Sequence, residues 1–111
     1  MESNQPKTFC FDIDGVIMTL VDVRDYSLAR PIPETVEIIN ELYHRGHYII
    51  LFTARGYVTK MDWTDVTIRQ MKEAGVKYHE LKFGKPAADY YIDDRMADLS
   101  FIETQIKNNS F

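Results

Sequence analysis

Apolar positions fall along this chain in short blocks, and the spacing within each block predicts a different element. Thr8 to Ile13 (TFCFDI) is an apolar, aromatic run ending in acids, the pattern of a buried strand. Val16 to Ala29 is rich in β-branched and aromatic residues and is interrupted by Asp22 to Asp25; it predicts a hairpin or flap over roughly residues 16–30. Pro31 and Pro33 end that segment, and Pro33 can open a helix. In Glu34 to Arg45 the apolar residues Val36, Ile39, Leu42 and Tyr43 recur at helical spacing, with Gly46 where a terminating glycine belongs. His47 to Phe52 (HYIILF) is almost wholly apolar, as for a parallel strand covered on both faces. Thr53 to Gly56 form its exit loop. Asp62 to Ala74 predicts a second helix, with Val66, Met71 and Ala74 facing inward and Gly75 as its stop. A weaker strand lies within Val76 to Phe83, Gly84–Lys85–Pro86 is a turn, Asp89 to Ile92 (DYYI) is a fourth strand, and Met96 to Ile106 predicts a terminal helix.

Strands separated by helices imply right-handed crossovers, hence an α/β, Rossmann-like, three-layer fold: a parallel sheet of about four strands with helices on both faces. Such sheets bind ligands beyond the carboxyl ends of their strands. Asp12 and Asp14, Thr53, and Asp93 and Asp94 all fall at predicted strand ends, so three distant segments deliver polar groups to one rim.

With 111 residues the chain supports one domain and little else. Apolar residues at 45% against 27% charged give the balance of a folded globule rather than a disordered chain. A net charge of −4, without clustered Lys and Arg, gives nucleic acid no footing. No apolar run approaches the roughly 20 residues needed to cross a bilayer, so no membrane partner is expected. The polar start MESNQPK lacks the apolar core of a signal peptide, and the single cysteine, Cys10, allows no internal disulfide; a cytoplasmic location is the expectation.

Two carboxylates two residues apart, Asp12 and Asp14, repel each other unless a cation or proton offsets them, and Gly15 permits a tight exit from the strand. A hard divalent ion such as Mg²⁺ suits oxygen ligands from these acids and from Asp93 and Asp94. The Thr53 hydroxyl and the Lys85 ammonium suit the equatorial oxygens of a phosphoryl group. A carboxylate can attack phosphorus and so divide one difficult displacement into two easier ones.

Together the pieces FDIDGVI (Phe11 to Ile17), LFTAR (Leu51 to Arg55), GKP (Gly84 to Pro86) and YIDDRMAD (Tyr91 to Asp98) resemble, in order, the four motifs of the haloacid-dehalogenase superfamily of phosphotransferases. The resemblance implies a Mg²⁺-dependent phosphatase with Asp12 as nucleophile and metal ligand. Asp14 would be general acid and base, with its backbone carbonyl on the metal. Thr53 would hold the transferred phosphoryl group, and Lys85 would stabilise it. Asp93 would complete the metal site, with Asp94 as a further ligand or an outer acceptor. Gly15, Ala54, Arg55 and Asp98 are weaker candidates for substrate or outer contacts. An acid at position 14 is the phosphatase pattern within the superfamily, and a small phosphorylated metabolite such as a sugar phosphate is the implied substrate.

The chain departs from that pattern in two places. Only Pro86 to Ala88 separate Lys85 from the DYYI strand, where the superfamily usually places a helix, and the chain ends soon after the fourth motif. There is room for a flap but for no cap domain, and the flap is a candidate surface for a homodimer or homotetramer. Two other functions compete: a phospho-accepting, receiver-like signalling domain, whose acid, threonine and lysine come in a different order, and a binding protein that keeps the fold without activity. Arg55 and Arg95, beside motif residues, read as surface charges that could also meet a substrate anion. His44, His47 and His79 lack ligand spacing and read as structural or exposed; Trp63, with Tyr57 and Met61, reads first as packing and second as the lining of a pocket mouth near Thr53.

Overall fold

A computed structural model describes residues 5–83, 89–92 and 99–109. The strands are β1 (Thr8–Asp12), β2 (Tyr48–Thr53), β3 (Glu80–Phe83) and β4 (Tyr90–Ile92), and the helices are α1 (Pro33–His44), α2 (Thr64–Ala74) and α3 (Leu99–Lys107). They form a small α/β domain whose parallel sheet runs in the order β3-β2-β1-β4. Thr8 pairs with Tyr48 and Asp12 with Phe52, so β1 and β2 end level and bring Asp12 and Thr53 to the same edge.

Alternation along the strands divides the core. Phe9, Phe11, Ile49 and Leu51 belong to one buried cluster with Ile39 and Leu42 of α1, Met71 of α2 and Ile102 of α3. Cys10, Ile50 and Phe52 form a separate buried cluster with no helical member among the described residues. Among the described residues, all three helices contribute to the first cluster.

Several local features follow from sequence as expected. Pro33 stands at the first turn of α1, where its missing N–H has no intrahelical partner to lose. Gly75 ends α2 at φ 75°, a left-handed value that favours glycine. The third strand begins only at Glu80 because Val76, buried at 7% exposure, closes the end of α2 instead, its N–H donating to the Met71 carbonyl. β3 is an edge strand, and its Glu80–Lys82 ion pair (3.2 Å) puts charge on that edge.

The segment expected to be a hairpin forms no strand ladder. Val16, Ile17 and Met18 are buried in a turn, and the loop is closed at its base by isolated bridges pairing Met18 with Asp14 and with Pro31. The Thr19 N–H donates to the Arg30 carbonyl (2.8 Å) and the Ile32 N–H to the Ile17 carbonyl (2.7 Å). A single 3₁₀ turn, Tyr26–Leu28, follows. Apolar residues in a row here fill core rather than alternate across a ribbon. Among the described residues no helix is long and apolar enough to cross a membrane.

Two histidines act as acceptors for backbone N–H groups: His47 Nδ1 for Lys7 (3.1 Å) and His79 Nδ1 for Ile49 (3.0 Å). His47 also meets Phe9 edge-on at 5.2 Å. Burial, helped by the charges of Lys7 and Arg45, pushes the His47 imidazole below its ordinary value. The folded chain therefore binds fewer protons than the unfolded chain between that lowered value and about 6.5. Its contribution to stability is complete above about pH 6.5 and is lost as pH falls towards the lowered value. The urea midpoint is expected to drop between about pH 7.5 and about pH 5.5, and His47→Gln to narrow that drop.

Candidate functional site

The site begins where β1 stops. Asp12 is its last residue, and the chain then turns because the Ile13 carbonyl accepts the N–H groups of Ile17 (2.9 Å) and Met18 (2.8 Å). Gly15, at φ 91°, supplies the left-handed step of this turn and donates to the Met18 carbonyl (2.8 Å). Asp14 thus sits on a turn rather than on an extension of the strand. The turn, not strand periodicity, aims its carboxylate.

That carboxylate is held on both oxygens. The Thr53 hydroxyl donates to Asp14 Oδ2 (2.9 Å). Arg55 reaches Oδ1 through Nη2 (2.9 Å) and Nε (3.1 Å), with Nε also 3.3 Å from Oδ2. The same guanidinium donates through Nη1 to Gln70 Oε1 (2.6 Å) and Thr67 Oγ1 (3.0 Å), and its Cζ lies 4.6 Å from the centre of the Tyr26 ring. Gln70 is anchored in turn, its Nε2 donating to the Tyr26 carbonyl (2.8 Å), and Trp63 packs edge-on against Tyr26 at 5.3 Å.

The Arg55 side chain is 0% exposed and that of Asp14 17%. A buried guanidinium is tolerated only when its charge and its donors are matched, and here a carboxylate, an amide, a hydroxyl and a ring face match them. Arg55 is therefore a buried clamp on Asp14, which corrects its reading as a surface charge. The Thr53 hydroxyl has one hydrogen, and Asp14 takes it; its oxygen meanwhile accepts the Arg55 N–H (3.1 Å). A phosphoryl oxygen taking that hydrogen would compete with Asp14 for it.

Tyr26 brings the two acids into one setting. Burial first, then the Asp14 carboxylate, raise its phenol above the ordinary value; Arg55 opposes, while Asp12 and Asp22 add to the rise. Ala54 is exposed, and its carbonyl closes the next turn by accepting the Tyr57 N–H (3.0 Å).

Asp12, Asp14, Gly15, Thr53, Ala54 and Arg55 come together as a continuous site. Lys85, Asp93, Asp94, Arg95 and Asp98 lie outside the described residues. Among the described residues no group of three or more His, Cys, Asp or Glu could hold a metal ion. The donors that are described nevertheless suit a hard cation. Asp12 offers carboxylate oxygens, and among the described residues no backbone N–H donates to the Asp14 carbonyl. The Asp14 carboxylate, held by Thr53 and Arg55, leaves that carbonyl as its residue's contribution to such a site.

Tyr26, Thr67 and Gln70 are the residues that sequence reasoning missed. Thr67 and Gln70, three apart and both buried, were legible in principle as a polar pair beside Met71 on the inner face of α2. Nothing in the local sequence distinguishes Tyr26 from a packing aromatic.

No family model and no curated protein matches the chain. Among solved structures, the crystal structure of a structural-genomics target from Vibrio cholerae is similar over 93% of this chain and 98% of that one, at a TM-score of 0.66 and 23% identity. A likeness at that identity shows the fold.

Proposed function

We propose that this chain is a Mg²⁺-dependent phosphatase of the haloacid-dehalogenase type, acting on a small phosphate monoester such as a sugar phosphate. The observation that carries the reading is the doubly held carboxylate of Asp14, beside Asp12 and Thr53 at the carboxyl ends of two adjacent parallel strands. A carboxyl that must deliver a proton at one point and take one up at the same point needs a fixed orientation, and the clamp supplies it.

When a phosphoryl oxygen takes the Thr53 hydrogen, Asp14 Oδ2 is released and carries a proton from solvent; an Asp12 oxygen then attacks phosphorus, the bond to the ester oxygen breaks, and that oxygen takes the proton from Asp14 Oδ2. Asp14 then removes a proton from water, whose oxygen attacks the aspartyl phosphate and releases inorganic phosphate and the free Asp12 carboxylate. Asp12 and the Asp14 carbonyl, with Asp93 and Asp94, would hold the metal ion, which supplies positive charge to the phosphoryl oxygens. The loop over residues 16–30 acts in this reading as the flap, delivering Tyr26 to the underside of the clamp.

The test is release of inorganic phosphate from a panel of phosphate esters. Release that requires Mg²⁺ and stops when a chelator removes it supports the reading; inertness towards every ester, aryl phosphates included, ends it.

A further inference from the structure

Beside Thr53 lies an open hollow of about 360 Å³ lined by residues 53–57, Lys60 and Phe83. A second hollow, about 370 Å³, adjoins it along Gly56, Lys60 and Phe83 and reaches Met61 and Trp63. Its walls are unusual for a surface. Tyr57 is 76% exposed and Phe83 45%, although neither packs into the core.

The loop that builds these walls has a defined form. Gly56 has φ 87°, and a Cβ there would stand 2.4 Å from the Met61 carbonyl oxygen, so only glycine fits. The Lys60 N–H donates to the Gly56 carbonyl (2.9 Å), and Lys60 itself is held at φ 64°, a left-handed value that a non-glycine residue rarely adopts. Its ammonium rests 5.1 Å from the centre of the Tyr57 ring, a contact weak enough to be exchanged for a full ion pair. Arg55 cannot provide that ion pair, since its guanidinium is taken up by Asp14, Thr67 and Gln70. Asp62, the acid lining the adjoining hollow, has Oδ1 occupied by the Thr64 N–H (2.9 Å). Among the described residues, the hollow therefore offers two aromatic walls and one exposed cation, Lys60, within a loop's width of the reacting residues.

We propose that this hollow is the leaving-group subsite and selects an ester whose alcohol half carries a ring and a second anionic group: the ring lies against Tyr57 and Phe83, and Lys60 pairs the anion. This rests on the phosphatase reading for what occupies the neighbouring Thr53 position. The hollow can still be tested without turnover, because Trp63 is the single tryptophan of the chain and lines the adjoining space. Its indole N–H has no hydrogen-bond partner among the described residues, which leaves its emission open to change when the loop engages a ligand.

The experiment titrates the inactive Asp12→Asn chain, with Mg²⁺ present, with three esters while Trp63 emission is followed. The esters are methyl phosphate, phenyl phosphate and 4-carboxyphenyl phosphate. The ring should tighten binding about fivefold over methyl phosphate, and the carboxylate about fivefold again. Lys60→Gln should erase the second step and leave the first; Tyr57→Ala should weaken the first. Equal dissociation constants for phenyl and 4-carboxyphenyl phosphate, or a carboxylate preference that survives Lys60→Gln in a chain with unchanged circular dichroism, overturns the proposal. Failure of the phosphatase reading appears separately, as absence of phosphate release by the unmodified chain.

Discussion

Arg55→Met is expected to lower folding stability by about 3 kcal/mol and, under the proposed function, to remove most phosphate release. The methionine fills space but leaves Asp14, Gln70 and Thr67 facing an apolar side chain, and breaking a buried ion pair by deleting one partner is among the most damaging single changes. In a domain of this size the loss corresponds to a fall of roughly 10 °C in Tm, measurable by circular dichroism. Arg55→Lys keeps the charge but offers one ammonium where a planar fork reaches acceptors on three side chains, so it should recover less than half of the lost stability. An unchanged Tm in Arg55→Met would refute the clamp. Activity measured well below the variant's Tm separates the two effects: a folded Arg55→Met chain that turns over at the wild-type rate would mean that Asp14 needs no such holding.

Asp12→Asn should reduce phosphate release by roughly 10³-fold or more, because an amide is a poor nucleophile towards phosphorus and no other described carboxylate stands in its place. Asp14→Asn should behave differently. General acid and base assistance is typically worth about 10²–10⁴-fold, and an alkyl alkoxide needs the proton more than a nitrophenolate does. Asp14→Asn should therefore lose far more activity on methyl phosphate than on 4-nitrophenyl phosphate, whereas Asp12→Asn should lose both alike. Equal losses on the two esters in Asp14→Asn would deny Asp14 the proton-transfer role. The Asn variant also leaves Arg55 without its counter-charge, so its Tm should be recorded beside its rate.

Much of the fold was legible because the pattern was strong where the packing is simple. TFCFD and YIILFT pair in register as β1 and β2, and the stripe of Val36, Ile39 and Leu42 is buried on α1. The convergence of Asp12 and Thr53 on one edge followed from strand order alone. Of the two expectations for residues 16–30 the hairpin is the one that fails, because Val16, Ile17 and Met18 are consecutive apolar residues, and a run of that kind does not distinguish a ribbon from a turn sunk in the core. Arg55 was misread for a different reason. Its burial depends on Gln70 and Thr67, a helix away, and on Tyr26, still further along the chain; no local window holds that information.

The contacts around Asp14 join positions far apart in the chain: 41 residues separate it from Arg55, and 44 separate Tyr26 from Gln70. None of these partners can meet until β1, β2, α2 and the 16–30 loop are all in place, so each link closes a long loop whose entropy is recovered only at the end of assembly. Amide protons around this junction should exchange with solvent only through opening of the whole domain. Holding Asp14 in place and folding cooperatively are then one event, with no half-assembled species that carries the clamp.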